Sequence, residues 1–127
     1  MDKAALVEVD LKKSERIVSL LEAAGIRVAV AMWVQFPEYE DWRFALASKD
    51  LDPLTLGEAY SKVNGALIEA GLSVWEIPTI FVMKTTDPFI RALRKTFGKT
   101  ESVIGMRLGR QTWGDRFIDD AYAYKIA

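Results

Sequence analysis

The feature that most constrains this chain is the stretch from Ile26 to Ser48, IRVAVAMWVQFPEYEDWRFALAS, where two runs of strand-forming residues flank a short polar loop. In the first run Ile26, Val28, Val30, Met32 and Val34 fall on one face, and Arg27, Ala29, Ala31, Trp33 and Gln35 on the other. The second run sets Trp42, Phe44 and Leu46 against Arg43, Ala45 and Ala47. A period of two with β-branched and aromatic enrichment marks paired strands. Apolar residues occupy both faces, so the sequence predicts a central hairpin in a sheet covered by helices. The loop, Phe36 to Asp41, holds Pro37 and the acids Glu38, Glu40 and Asp41. Its turn type is not legible, which leaves the cross-strand register open.

The flanking segments supply the cover. After a short extended start, Asp10 is placed to cap a helix from Leu11 to Ala24, with Lys12, Lys13, Glu15 and Arg16 on its wet face and Gly25 at its C-terminal stop. Thr55-Leu-Gly-Glu58 reads as a capping box. The helix behind it carries Leu56, Ala59, Tyr60, Val63, Leu67 and Ala70 on one stripe and ends at Gly71. Gly65, inside that helix, costs about 1 kcal/mol relative to alanine, and close packing on the hairpin's alanines is the expected compensation. Thr79 to Lys84 reads as a buried third strand. Thr86 or Asp87 caps a helix from Pro88 to Phe97, with Phe89, Ile90, Leu93 and Phe97 inward. Two strand candidates close the chain, Ser102 to Leu108 and Phe117 to Ile126, joined by the loop GRQTWGDR. The order α-β-β-α-β-α-β-β implies one compact α/β (α+β) domain, residues 1–127, built on a mixed sheet of five strands with three helices.

Composition bears on function mainly by exclusion. The chain has no cysteine and no histidine, which removes disulfides, thiolate metal sites and every nucleophile activated by imidazole. No phosphate-binding loop, dinucleotide fingerprint or G-x-S-x-G elbow is present, so the residue types point away from an enzyme and imply no cofactor. Net charge is −1, giving no global field for nucleic acid or an anionic membrane. The longest apolar runs fall far short of the roughly 20 residues that span a bilayer. The first ten residues lack the pattern of a signal peptide, and a cytoplasmic protein is expected.

The segments WRFALAS, Asp87-Pro88 ahead of a helix, and the terminal IDDAYAYKI resemble a family of small bacterial α/β proteins of unknown function. The resemblance extends over most of the chain. It implies a single domain and carries no catalytic residue.

Candidate sites follow from residues whose burial or exposure needs an explanation. Asp119 and Asp120 lie side by side between apolar neighbours, so on a strand one of them points over the core and needs a partner. Arg107, Arg110 and Arg116 are near in sequence. The functional reading is a carboxylate–guanidinium site for a polar ligand, or half of a magnesium site; the structural one is a salt bridge locking the last strands. The pairs Glu40-Asp41 and Asp50-x-Asp52 lack calcium-loop spacing, and no metal site is expected. From Lys84 to Arg116 eight bases, among them Arg91, Arg94, Lys95, Lys99 and Arg110, face three acids. Gathered on one side with Trp113, they would suit phosphate contacts and base stacking; scattered, they are a solvated helix face and loop. Of four tryptophans, Trp33 and Trp42 belong in or beside the core, whereas Trp75 and Trp113 lie in connections. There they either anchor a partner or cap the core.

Three functions fit these residues. The first is a non-enzymatic interaction module that self-associates or docks in a larger assembly through loop aromatics and a strand edge. The second is a nucleic-acid-binding accessory protein using residues 84–116. The third is a magnesium-dependent enzyme working through Asp119 or Asp120.

Overall fold

The computed structural model describes the backbone of residues 3–100 and 102–127, and the side chains of residues 11–100 and 102–127. The elements run α1 (Lys3–Ala23), β1 (Val30–Gln35), β2 (Arg43–Ala47), α2 (Leu56–Glu69), β3 (Ile80–Met83), α3 (Pro88–Phe97), β4 (Gln111–Trp113), β5 (Arg116–Ile118) and β6 (Asp120–Ile126). The sheet is mixed and four-stranded, ordered β3-β2-β1-β6, and β4 and β5 form a separate two-stranded ribbon. This is the expected α+β architecture. The central hairpin is antiparallel, with Trp33 opposite Phe44 and Met32 opposite Ala45. β3 runs parallel to β2, and β6 runs antiparallel to β1.

Both sheet faces are covered, as their patterns require. On one face α1 contributes Ile17, Val18 and Leu21, and α2 contributes Ala59, Val63 and Leu67, against Ala31, Trp33, Phe44 and Leu46. The Trp33 indole N–H donates to the buried Ser14 hydroxyl of α1 at 2.7 Å, tying helix to sheet. On the other face Phe89, Ile90 and Leu93 of α3 meet Val30, Met32 and Val34. Ala45, Ala47, Ala121 and Ala123 line that face too, small residues opposite bulky ones. The result is three layers.

Several local expectations change. α1 starts at Lys3, so position 10 lies inside the helix and does not cap it. The sequence AALVEVDLKK holds good helix formers and no breaker, and one Asp inside costs only a few tenths of a kcal/mol. Ile26 and Val28 join the α1–α2 side, opposite Val30 and Met32. The strand begins only at Val30, after a bend at Ala29, and that bend reverses the phase of the alternation. Leu56 is 62% exposed and does not share the buried stripe of α2. Gly65 is exposed and nothing would meet a Cβ there within 4 Å, so packing does not explain it.

The C-terminal third departs furthest from its pattern. Residues 102–108 form no regular strand: Gly105, at φ +78°, turns the chain, and one bridge joins Arg107 to Tyr122. Backbone bonds from Gly105 N–H to Ala123 O and from Leu108 N–H to Ala121 O still lay the segment along the outer side of β6. The GRQTWGDR loop becomes the β4–β5 ribbon, with Trp113 opposite Arg116. At the other edge, the Tyr60 hydroxyl of α2 accepts the Val82 N–H at 3.0 Å. One sheet edge is thus covered and the other partly blocked, which limits pairing with another chain.

The caps follow the sequence closely. Thr55 and Glu58 form the reciprocal capping box, and the Asp87 carboxylate accepts the Phe89 N–H with Pro88 in the first turn. Among the described residues no helix is long and apolar enough to cross a membrane.

Candidate functional site

The strand register gathers three connections at one end of the sheet. β1 ends at Gln35, which pairs with Asp120 at the start of β6. β3 starts at Ile80, beside Phe44 at the start of β2. The acidic 36–42 loop, the 72–79 connection and the 107–119 run therefore all meet the sheet at the same end.

The first feature of that end is Trp75. Its side chain is 91% exposed, and neighbouring Val74 is 65% exposed. The turn beneath them is braced. Glu76 N–H donates to Ser73 O, and the Glu76 carboxylate accepts the Ser73 N–H at 3.0 Å. The same carboxylate meets Arg16 of α1 at 3.4 Å. The Ser73 N–H holds the Glu76 carboxyl below its usual range, helped by the Ser73 side chain, Arg16 and Lys13. Trp75 thus lines a hollow with Lys12, Lys13, Ile17 and Leu72, where two lysines expected on the wet face of α1 meet a tryptophan expected to anchor a partner or cap the core. Arg16 and Glu76 are 60 residues apart in the chain, and no local pattern announces such a contact.

The second feature is a shallow cleft of about 580 Å³ lined by Gln35, Arg107, Gly109, Arg110, Asp119 and Asp120. Asp120 is the inward carboxylate, 4% exposed. It takes a two-pronged bond from Arg107, at 3.0 Å from Nε and 2.9 Å from the terminal nitrogen, and accepts the Ala121 N–H at 2.9 Å. The Asp120 carboxylate raises the Arg107 guanidinium above its usual value, through the hydrogen bonds first and charge second. This is the salt-bridge reading of the pair, and it fastens the 102–108 run onto β6. Asp119, at the break between β5 and β6, is half-buried, with its N–H on Gln35 O and its carbonyl accepting from Arg110 N–H.

The remaining candidates do not converge. Arg91 and Lys95 line a separate hollow with Pro88 and Ala92 on α3. Arg94 donates to Ala127 O at 2.7 Å, and Lys99 is exposed beyond the helix. Arg116 pairs with Glu38 at 3.5 Å and lies over the Phe36 ring. Trp113 is half-buried against Phe97 of α3, ring centres 5.4 Å apart, where it caps the core. Of the other acids, Asp50 binds Arg27 and Asp52 accepts the Thr85 N–H and hydroxyl, while Glu40 and Asp41 are exposed on their loop. Among the described residues no three metal-ligating side chains cluster.

No protein-family model, no curated protein and no solved structure matches the chain.

Proposed function

We propose that this protein is an interaction module, not an enzyme, and that it pairs with a second copy of itself through the loop end of its sheet. The observation that carries the reading is Trp75, 91% exposed on a turn braced by Glu76 and Arg16. So solvated an indole is rare on a monomer surface and typical of an interface anchor. Covering it removes roughly 200 Å² of surface from water, about 5 kcal/mol at 25 cal/mol per Å² before the costs of association.

Charge complementarity supports a second copy as the occupant. Lys12 and Lys13 border Trp75, while Glu40 and Asp41 project, exposed, from a loop at the same end and make no ion pair among the described residues. A two-fold axis at that end would set each copy's lysines against the other's acidic loop, making the contact twice. A cytoplasmic setting fits the cysteine-free sequence.

The test is the solution mass by light scattering of the protein and of Trp75→Ala, in low and high salt. Twice the chain mass for the parent is expected. Trp75→Ala should be monomeric but folded, melting below the parent only by what dimerisation adds and level with it at high dilution, because so exposed a side chain contributes little to the fold of one copy. A parent that stays monomeric at high micromolar concentration overturns the proposal. A monomer that gains mass on mixed short oligonucleotides, and loses it as salt rises, assigns Trp75 and the α1 lysines to nucleic acid instead.

A further inference from the structure

We propose that the cleft between Gln35, Arg110 and Asp119 binds a small zwitterion of the free amino-acid class. Arg107 and Asp120 form its back wall and neutralise each other, so they hold the cleft in place without supplying a net charge. Arg110 is the telling residue. Among the described residues it is the one non-glycine with positive φ, at +34°. An L side chain in that conformation is strained, and such strain collects where a side chain is needed for more than the fold. The backbone does not need an arginine there: the Arg110 N–H to Asp119 O bond, at 3.1 Å, would be made equally by glycine. What glycine would lack is the guanidinium.

That guanidinium is exposed and makes no hydrogen bond or ion pair among the described residues; the Asp119 carboxylate makes none either. The two residues share a backbone bond and line one cleft, yet their opposite charges do not close on each other. A ligand with adjoining carboxylate and ammonium groups satisfies both, the carboxylate on the planar Arg110 fork and the ammonium on Asp119. The Gln35 amide, which both donates and accepts, borders the same space. A simple anion would meet Asp119 unfavourably, and a simple cation would meet Arg110.

The experiment is a two-dimensional amide NMR titration with free glycine and free serine, with acetate and methylammonium as half-ligands. Amide shifts confined to residues 107–120 and to Gln35 are expected with the amino acids. Binding should weaken at least about tenfold for either half-ligand and for Arg110→Gly or Asp119→Asn. Arg110→Gly should also raise the melting temperature by about 3 °C, because strain is relieved while binding is lost. The proposal is overturned if neither amino acid shifts these amides at millimolar concentration, or if acetate binds as well as glycine. It is equally overturned if Arg110→Gly binds unchanged or melts lower than the parent. Mass measurements on Trp75→Ala are independent of each of these outcomes.

Discussion

Substituting two glycines should move stability in opposite directions, and the structure gives both signs. Gly114 turns the β4–β5 ribbon with φ +64° and lies against the first turn of α3. A Cβ added there would stand 2.4 Å from Pro88 O, 2.5 Å from Pro88 C and 2.8 Å from Phe89 N. All three are backbone atoms of a helix start pinned by the Asp87 cap, so the helix cannot simply give way. Gly114→Ala then carries about 1 kcal/mol for the left-handed backbone and about 2 kcal/mol for forcing helix and ribbon roughly 1 Å apart. At about 2.1 cal/mol/K per residue, a chain of 127 residues has an unfolding entropy near 0.27 kcal/mol/K. About 3 kcal/mol thus lowers the melting temperature by about 11 °C. Gly65→Ala meets nothing within 4 Å inside α2 and should gain about 1 kcal/mol, or about 4 °C. Thermal unfolding by circular dichroism reads both. Gly114→Asn separates the two costs, since asparagine tolerates the left-handed backbone but carries the same Cβ. A Gly114→Ala protein melting within a degree or two of the parent, or a Gly65→Ala protein melting lower, would refute the packing described here.

The remaining predictions concern charge. Arg27, by its side chain first and its N–H second, holds the Asp50 carboxyl down at about 2 from an ordinary 3.8. A depressed carboxylate stabilises above its unfolded value and loses that contribution as pH falls through the folded one. The stability gap between the parent and Arg27→Gln should therefore be constant near neutrality, shrink below about 3.8 and close near 2; a pH-independent gap in urea unfolding would argue against the pair. Asp120→Asn should lower the melting temperature clearly more than Asp119→Asn, because only Asp120 is buried and gripped by Arg107. Equal effects would mean that the Arg107 pair does not fasten the 102–108 run to β6.

Local features of this fold were legible in the sequence because their causes are local. A period of two across Val30–Val34 and Trp42–Ala47 could only make a two-sided hairpin, and the chain places helices on both faces of it. Thr55 with Glu58, and Asp87 with Pro88, set helix starts through bonds that span three residues at most. Patterning failed where distant contacts decide the outcome. Nothing near Ala29 announces the bend that moves Ile26 and Val28 to the opposite face. SVIGMRL reads as a strand, yet Gly105 turns the chain there, and only packing selects Arg107 from three nearby arginines to reach Asp120, 13 residues on.

The candidate sites divide along the same line. The sequence by itself determined the hairpin, the three helices, the mixed α+β class and a cysteine- and histidine-free chemistry. It also singled out Trp75, Trp113, Asp119 and Asp120, but not which of them would be exposed. Only the tertiary structure buried Asp120 against Arg107, packed Trp113 on Phe97 and left Trp75 in water beside the lysines of α1. Periodicity and caps report what a residue does to its own turn of chain. Whether a side chain meets water or a partner depends on strand order and helix placement, which arise only when the layers pack.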